Sequence, residues 1–250
     1  MLILACDTSN SACSACLYED GRVLAQSLLS LGRTHSQTFM PMVHDLMKQS
    51  GKKYSELDAF ACAVGPGSFT GIRIGVSAVK SMAMTAGKAA VPVSSLEALA
   101  YPYFERENTL VAALTDARNR RVFASAYYNG REVVPEKAGS IEEFSSRCEA
   151  WEAENTDVSA DILLCGDAAS AYLHEPYFMN RNARTAVLFC REVQPASVAA
   201  LAAGTITRSL SEAAGASLYE LFPPQALMPV YRAKTSAERK FPDAQVPAHA

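Results

Sequence analysis

The segment that organises this chain reads Gly65-Pro66-Gly67-Ser68-Phe69-Thr70-Gly71-Ile72-Arg73-Ile74-Gly75. Four glycines, a proline and two hydroxyl side chains fall within these eleven residues, between two apolar segments. The pattern predicts a strand over 57–64, a tight turn, and a helix from Ser68 to Met84 with Ser68 as its N-cap. A Walker loop does not fit because Ile72 follows Gly71, and the third glycine comes one residue too late for a dinucleotide fingerprint.

The glycine turn has two interpretations. It is a corner between a strand and a helix, or it is an anion site, because the first amides of a helix and its dipole attract negative charge. Asp7 and Thr8 follow the first predicted strand, 2–6, and Asp7 either holds Mg²⁺ through water or caps a local turn. A candidate anion or nucleotide site therefore comprises Asp7, Thr8, Gly65, Gly67 and Ser68.

The composition is typical of a globular chain with a sizeable core. Its 250 residues are 49% hydrophobic and 20% charged, which suits one large domain or two small ones. The net charge of −3 provides no global positive field for RNA or for an anionic membrane. Residues 1–7 carry no basic leader and a short apolar run, so we expect a cytoplasmic protein.

Cysteines and histidines follow no pattern of a metal site or a disulfide framework. The seven cysteines are scattered, which favours buried thiols. Cys13 and Cys16 have CxxC spacing, but both fall in a predicted strand, 11–18, where residues three apart face opposite sides of a sheet. His35 and His44 are nine apart, too far for the i, i+4 pair that holds a metal on one helix face, so we expect no metal ligand and no catalytic residue here.

A strand hairpin followed by alternating helices and strands begins twice, at Leu2 and at Leu110. In the first unit a helix over 36–49 starts either after Thr38, which puts Pro41 in the first turn, or at Ser36, which predicts a kink. The duplication predicts two related α/β lobes. We assign them to 1–104 and 105–232, with a helix over 196–210 that we expect to pack back on the first lobe and a frayed tail over 233–250.

Five motifs resemble those of the TsaB family, formerly YeaZ, of bacterial threonylcarbamoyladenosine synthesis. They are Asp7-Thr8-Ser9, His35-Ser36-Gln37 with Pro41, the 65–75 segment, Asp116-Ala117-Arg118 and Pro229-Val230-Tyr231-Arg232. The similarity extends over about 1–232; Gln37, where the family usually has Glu, and the C-terminal tail depart from it. The resemblance implies the two-lobed actin-like fold of acetate and sugar kinases and heat-shock protein 70, with duplicated ribonuclease-H-like lobes.

The resemblance also implies a function. TsaB proteins are non-catalytic scaffolds and activators of the paralogous TsaD, which transfers a threonylcarbamoyl group to adenosine 37 of tRNAs reading codons that start with A. The implied partners are TsaD, the ATPase TsaE, TsaC as the source of the adenylate, and a second copy in a homodimer. The resemblance implies no cofactor for this chain itself, allows ATP or ADP with Mg²⁺ in the assembled complex, and leaves tRNA as an indirect partner.

Two helices of the first lobe are the candidate partner surface. Small and apolar residues recur on them, and methionines pack adaptably against different partners. From periodicity alone, an interface and the chain's own core are equal alternatives; the resemblance favours an interface that serves both TsaD and the homodimer. The predicted interface residues are Met40, Val43, Met47, Gly71, Ile74, Gly75, Ala78 and Met82.

Two other functions stay open at this point. An autonomous ATPase or small-molecule kinase of the same fold is favoured by Asp7, Thr8 and the glycine turn, and is opposed by the lack of a glycine in the first hairpin before Gly21. A peptidase needs a nucleophile with a base, or a metal, and no histidine has a partner at a recognisable spacing. It ranks third.

Overall fold

The computed structural model describes residues 1–32, 34–156, 159–179, 185–188 and 190–232. The first sheet contains β1 Leu2–Asp7, β2 Cys13–Glu19, β3 Arg22–Leu29, β4 Ala59–Gly65 and β5 Ala89–Ser94. The second contains β6 Thr109–Asp116, β7 Val122–Tyr128, β8 Arg131–Gly139, β9 Asp161–Cys165 and β10 Thr185–Val187. The helices are α1 His35–Ser50, α2 Phe69–Ala86, α3 Ser95–Ala100, α4 Ile141–Glu154, α5 Pro176–Met179, α6 Pro195–Glu212 and α7 Leu218–Leu221. The predicted tail, 233–250, lies outside the described residues.

Both sheets have the same strand order. It is β3-β2-β1-β4-β5 in the first sheet and β8-β7-β6-β9-β10 in the second. In each sheet the first three strands form antiparallel hairpins, and the remaining two run parallel to the first strand. This repeat confirms the predicted α/β fold with duplicated ribonuclease-H-like lobes, which is the two-lobed actin-like architecture. We call the first sheet with α1 and α2 the first lobe, and the second sheet with α4 the second lobe.

Alternate residues of the central strands face different cores. On β1, Leu2, Leu4 and Cys6 pack with residues of α1 and α2, whereas Ile3 and Ala5 face a core shared by both sheets. Residues of β6 alternate in the same way between the shared core and the core beneath α4. A period of two is expected for strands covered on both faces. The layers are therefore α1 with α2, first sheet, α3 with α6, second sheet, and α4.

The two helices of the middle layer are exchanged between the halves of the chain. The helix α3 follows the first sheet but packs on β6 and β7, and α6 follows the second sheet but packs on β1 and β2. Val198, Ala202 and Ile206 of α6, four residues apart, enter the shared core as one stripe. Each sheet therefore buries one face with a helix from the other half.

Some element boundaries differ from the sequence predictions. The helix α1 begins at His35, one residue before the earlier of the two predicted starts, Ser36; Thr34 is the N-cap, and Pro41 lies inside the helix. The Ser68 cap of α2 is confirmed, because its Oγ accepts a hydrogen bond from the Gly71 N–H at 3.2 Å. None of the described helices is both long and apolar enough to cross a membrane.

Candidate functional site

The loop after β1 lies directly on the start of α2. The Ser9 carbonyl accepts a hydrogen bond from the Ser68 N–H at 2.6 Å. The Thr8 hydroxyl donates to the Gly71 carbonyl at 2.7 Å. Both Thr8 and Ser9 are buried, so these bonds form inside the first lobe. We call this contact of residues 7–10 with α2 the loop–helix interlock.

Close approach explains the glycine spacing in the interlock. A Cβ added to Gly67 would overlap the Ser9 carbonyl, and one added to Gly71 or Gly75 would overlap the Thr8 carbonyl or hydroxyl. The three glycines, four residues apart, thus leave room for the loop on α2 and on the turn before it. Gly65 has another role: its φ of 117° suits glycine, and an added Cβ would lie 2.7 Å from the Val230 carbonyl.

Asp7 ends β1 inside this buried loop. Its carboxylate Oδ1 accepts the Ser9 N–H at 3.0 Å, as in an Asx turn. Burial raises the pKa of Asp7 to about 6, although the hydrogen bonds from Ser9 and the nearby His35 act in the opposite direction. The structure therefore assigns Asp7 the role of turn cap, one of the two alternatives left open by the sequence.

Polar groups around Asp7 complete a small buried cluster. His35 Nε2 donates to the Asn10 carbonyl at 2.8 Å, which ties the start of α1 to the loop. Ser14 lies opposite Asp7 in the β1–β2 register. Among the described residues, neither the Ser14 hydroxyl nor Asn10 Oδ1, both buried, has a hydrogen-bond partner. These two buried oxygen atoms lie near the interlock and take no part in its hydrogen bonds.

The contacts of the interlock leave fewer groups of the candidate anion site available to a ligand. Asp7, Gly67 and Ser68 all contact Ser9, and Thr8 bonds to Gly71, whereas Gly65 faces the C-terminal segment. The Thr8 hydroxyl and the Ser68 N–H already have protein partners. Within the described part of the chain, the N–H groups of Phe69 and Thr70 have no acceptor, and both residues are exposed. These two amides are the groups of the predicted anion site that remain open, and the site itself stays a prediction.

The predicted interface residues divide into two sets. Met40 is 42% exposed on α1, and Ile74, Ala78 and Met82 are half-buried along one flank of α2. Val43, Met47, Gly71 and Gly75 are corrected: the first two pack in the core beneath α1 and α2, and the two glycines lie under Thr8. Because all four residues are buried, they are not available to an outside partner. The surface left for a partner is Met40, Ile74, Ala78 and Met82, which we call the α1–α2 surface.

The second lobe repeats the turn of the first without its interlock. Asp116 ends β6 as Asp7 ends β1, and its Oδ1 accepts the Arg118 N–H at 2.8 Å. The sequence alone allows Asp116 either to cap the local turn or to pair with the Arg118 side chain, and this hydrogen bond is a turn cap. Among the described residues no group of three histidine, cysteine or acidic side chains could hold a metal. All seven cysteines lie within the described residues and none forms a disulfide bond there, and Cys13 and Cys16 lie on the same strand, β2.

Sequence reasoning missed the contacts of the C-terminal segment, 222–232, which we call the strap. Val230 N–H donates to the Val64 carbonyl at 2.8 Å, and Lys80 Nζ donates to the Gln225 carbonyl at 2.7 Å. The Arg73 guanidinium stacks 3.9 Å above the Phe69 ring, and its Nε donates to the Tyr231 hydroxyl at 2.7 Å. The strap thereby follows α2 on the flank that carries Phe69, Arg73 and Lys80. The sequence did contain one indication of this flank, because the i, i+4 spacing of Phe69 and Arg73 places the two residues side by side on a helix.

Comparison with known proteins extends these observations. A family model described as TsaD, tRNA N6-adenosine threonylcarbamoyltransferase, matches residues 23–226. The TsaB protein of Escherichia coli is 39% identical over 51% of this chain and 55% of its own length, and that of Haemophilus influenzae is 34% identical over 57% and 66%. The matched segments thus span about half to two thirds of these curated relatives.

A solved structure agrees over nearly the whole chain. YeaZ from Pseudomonas aeruginosa superposes with a TM-score of 0.70 and 25% identity, and covers 92% of this chain and 99% of its own. These relatives confirm the resemblance to TsaB. Because the family model matches most of the residues, this protein belongs to the tRNA N6-adenosine threonylcarbamoyltransferase (TsaD) family, with TsaB proteins as its curated relatives.

Proposed function

We propose that this chain is a non-catalytic subunit that scaffolds and activates TsaD during threonylcarbamoyl transfer to adenosine 37 of tRNAs reading codons that start with A. The names of its relatives support the pathway, since they are tRNA threonylcarbamoyladenosine biosynthesis proteins. The matched family supports the choice of partner, because TsaD is a paralogous transferase. In this proposal the chain contributes a binding surface rather than reacting groups.

The α1–α2 surface is the observation that carries the proposal. Ile74, Ala78 and Met82 are spaced four residues apart along α2, beside α1, and Met40 is exposed on α1. An apolar stripe left partly open on two packed helices suits another helix pair. Beneath it, the loop–helix interlock holds α2 in place. A second copy of this chain and TsaD would compete for the same surface.

A non-catalytic role agrees with the spacing of the histidines and with the contact made by Thr8. The four histidines of the sequence include no pair four residues apart, and the Thr8 hydroxyl is bonded to α2. ATP or ADP with Mg²⁺ then belongs to the assembled complex with TsaD and the ATPase TsaE, and TsaC supplies the adenylate. With a net charge of −3, the chain contacts tRNA indirectly, in the cytoplasm.

Reconstitution tests the proposal. Purified TsaD, TsaC and TsaE are assayed for threonylcarbamoyl transfer to tRNA with and without the full chain, and ATP turnover by the chain alone is measured in parallel. We expect transfer to depend on the chain, and no turnover by the chain alone. Transfer that is unaffected by omitting the chain would exclude the activator role, and turnover by the chain alone would favour the kinase alternative.

Two substitutions test the surface. Ile74→Lys and Met82→Lys each place a charge on the α1–α2 surface and should weaken TsaD binding at least about 100-fold, because an unpaired lysine ammonium would be desolvated in the contact. Met179→Lys is the matched control, since Met179 is 56% exposed on α5. Binding is measured by calorimetry after circular dichroism confirms folding. If both variants bind TsaD with unchanged affinity, Ile74 and Met82 do not belong to the interface.

A further inference from the structure

The strap ends on the second lobe. After following α2, it places Arg232 beside β8, where Arg232 Nε donates to Glu136 Oε1 at 2.7 Å. The other oxygen of the same carboxylate accepts a hydrogen bond from the Ser94 hydroxyl at 2.6 Å. Ser94 ends β5 of the first sheet and is the N-cap of α3. One carboxylate of the second lobe is therefore held from two sides by groups of the first sheet and the strap.

The two partners of the ion pair differ in burial. The Glu136 side chain is 9% exposed, so its carboxylate is shielded from solvent, whereas the Arg232 side chain is 48% exposed. Two further carboxylates, Glu97 on α3 and Glu132 on β8, lie nearby: burial, Glu132 and Glu136 raise the pKa of Glu97, and Arg208 on α6 lowers it. Without Arg232, Glu136 would be left among like charges.

The strap also connects this contact with the surface of α2. Arg232 follows Tyr231, whose hydroxyl is bonded to Arg73, and the Val230 N–H is bonded to β4. Displacing the strap from α2 would therefore withdraw Arg232 from Glu136. Ser94 adjoins α3, which packs on β6 and β7, so the same contact lies at the junction of the lobes.

We propose that Ser94, Glu136 and Arg232 form a latch that holds the two lobes together, and that the strap releases the latch when it leaves α2. The latch is a conformational device built from the chain's own residues, and it does not depend on the identity of the partner that binds the α1–α2 surface. Its state is set by whether the strap lies along the flank of α2.

Hydrogen–deuterium exchange of the full chain tests the latch. Arg232→Gln and Glu136→Gln should each speed exchange about tenfold in peptides covering 223–232 and 95–104, because losing a charge-assisted bond makes local opening more frequent. The second peptide contains α3 and reports on the lobe junction. The control is Glu143→Gln, which breaks the Lys137–Glu143 ion pair within the second lobe and should leave both peptides unchanged.

The outcomes separate a latch from a local contact. Faster exchange in both peptides, with the double variant no faster than either single one, supports the latch. Faster exchange in the 223–232 peptide alone, or an increase no larger than that of the Glu143→Gln control, overturns the latch. Arg232 is 48% exposed, so Arg232→Gln decides the question even if Glu136→Gln does not fold.

Discussion

Gly71 and Gly204 are both helical glycines, but the space around them differs. Gly71 lies under the Thr8 carbonyl, whereas an added Cβ at Gly204 in α6 meets nothing within 4 Å. Alanine normally stabilises a helix relative to glycine, so Gly204→Ala should raise the free energy of unfolding by about 0.5–1 kcal/mol. Gly71→Ala should lower it by about 1–3 kcal/mol, because the new methyl group displaces Thr8. Urea unfolding compares the two; a stabilising Gly71→Ala would contradict the interlock.

Asp7 predicts a pH dependence of stability. Its pKa is raised from 3.8 to about 6. Between these values the folded chain holds a proton that the unfolded chain has released, so stability falls as the pH rises through this window. Asp7→Asn keeps an acceptor for the Ser9 N–H and removes the buried charge. The free energy of unfolding of this variant should exceed that of the parent protein by about 3 kcal/mol near pH 7.5 and should equal it near pH 4. Urea titrations across this range measure the difference, and a gap that does not vary with pH would refute it.

Single residues show where sequence reasoning stops. The four-residue spacing of the glycines is visible in the sequence, but its reason, contact with Thr8 and Ser9 some sixty positions earlier, is tertiary. Similarly, Met40, Val43 and Met47 share helical spacing, yet periodicity cannot tell a face on the chain's own sheet from a face for a partner. The structure buries the last two and leaves Met40 exposed.

At the scale of the elements, two neighbouring residues of the strap allow a specific prediction about stability. Leu227 is 1% exposed in the core beneath α2, whereas Met228 is 61% exposed. Leu227→Ala should lower the free energy of unfolding by about 2–4 kcal/mol, because it leaves a cavity in that core, and Met228→Ala should change it by less than about 0.5 kcal/mol. Thermal and urea unfolding give both values. Equal effects would mean that the strap does not belong to the folded core.

The elements themselves were largely predictable. Turn residues border two apolar runs and predict strands over 122–128 and 161–165, which are the bounds that the structure has. The pair Asn129-Gly130 predicts a hairpin turn between strands, and the φ values of 49° and 71° at these residues confirm it. The start of α1 was not settled by the sequence, which allowed Thr38 as the N-cap or a start at Ser36; the structure places the N-cap at Thr34, next to His35, which bonds to the Asn10 carbonyl. The strap is irregular, so its sequence has no hydrophobic periodicity from which its position could be predicted.

At the scale of the whole molecule, the exchanged helices predict cooperative unfolding. The shared core joins residues of both sheets with α3 and α6, so each lobe loses its inner core when the other unfolds. Trp151, the single tryptophan, lies on α4 of the second lobe and reports on that lobe alone. Its fluorescence and the far-ultraviolet circular dichroism of the whole chain should give the same urea midpoint. Two separate midpoints would show that the lobes unfold independently.

The exchange of α3 and α6 also has a consequence for the order of events on the ribosome. The inner face of the first sheet is complete once residue 94 has been made, but its cover, α6, ends at residue 212. At roughly 10 residues per second, the apolar residues of that face wait about 12 s for the helix that buries them. The nascent chain thus passes through a stage with a finished sheet and an open apolar face, which is the kind of surface that chaperones bind.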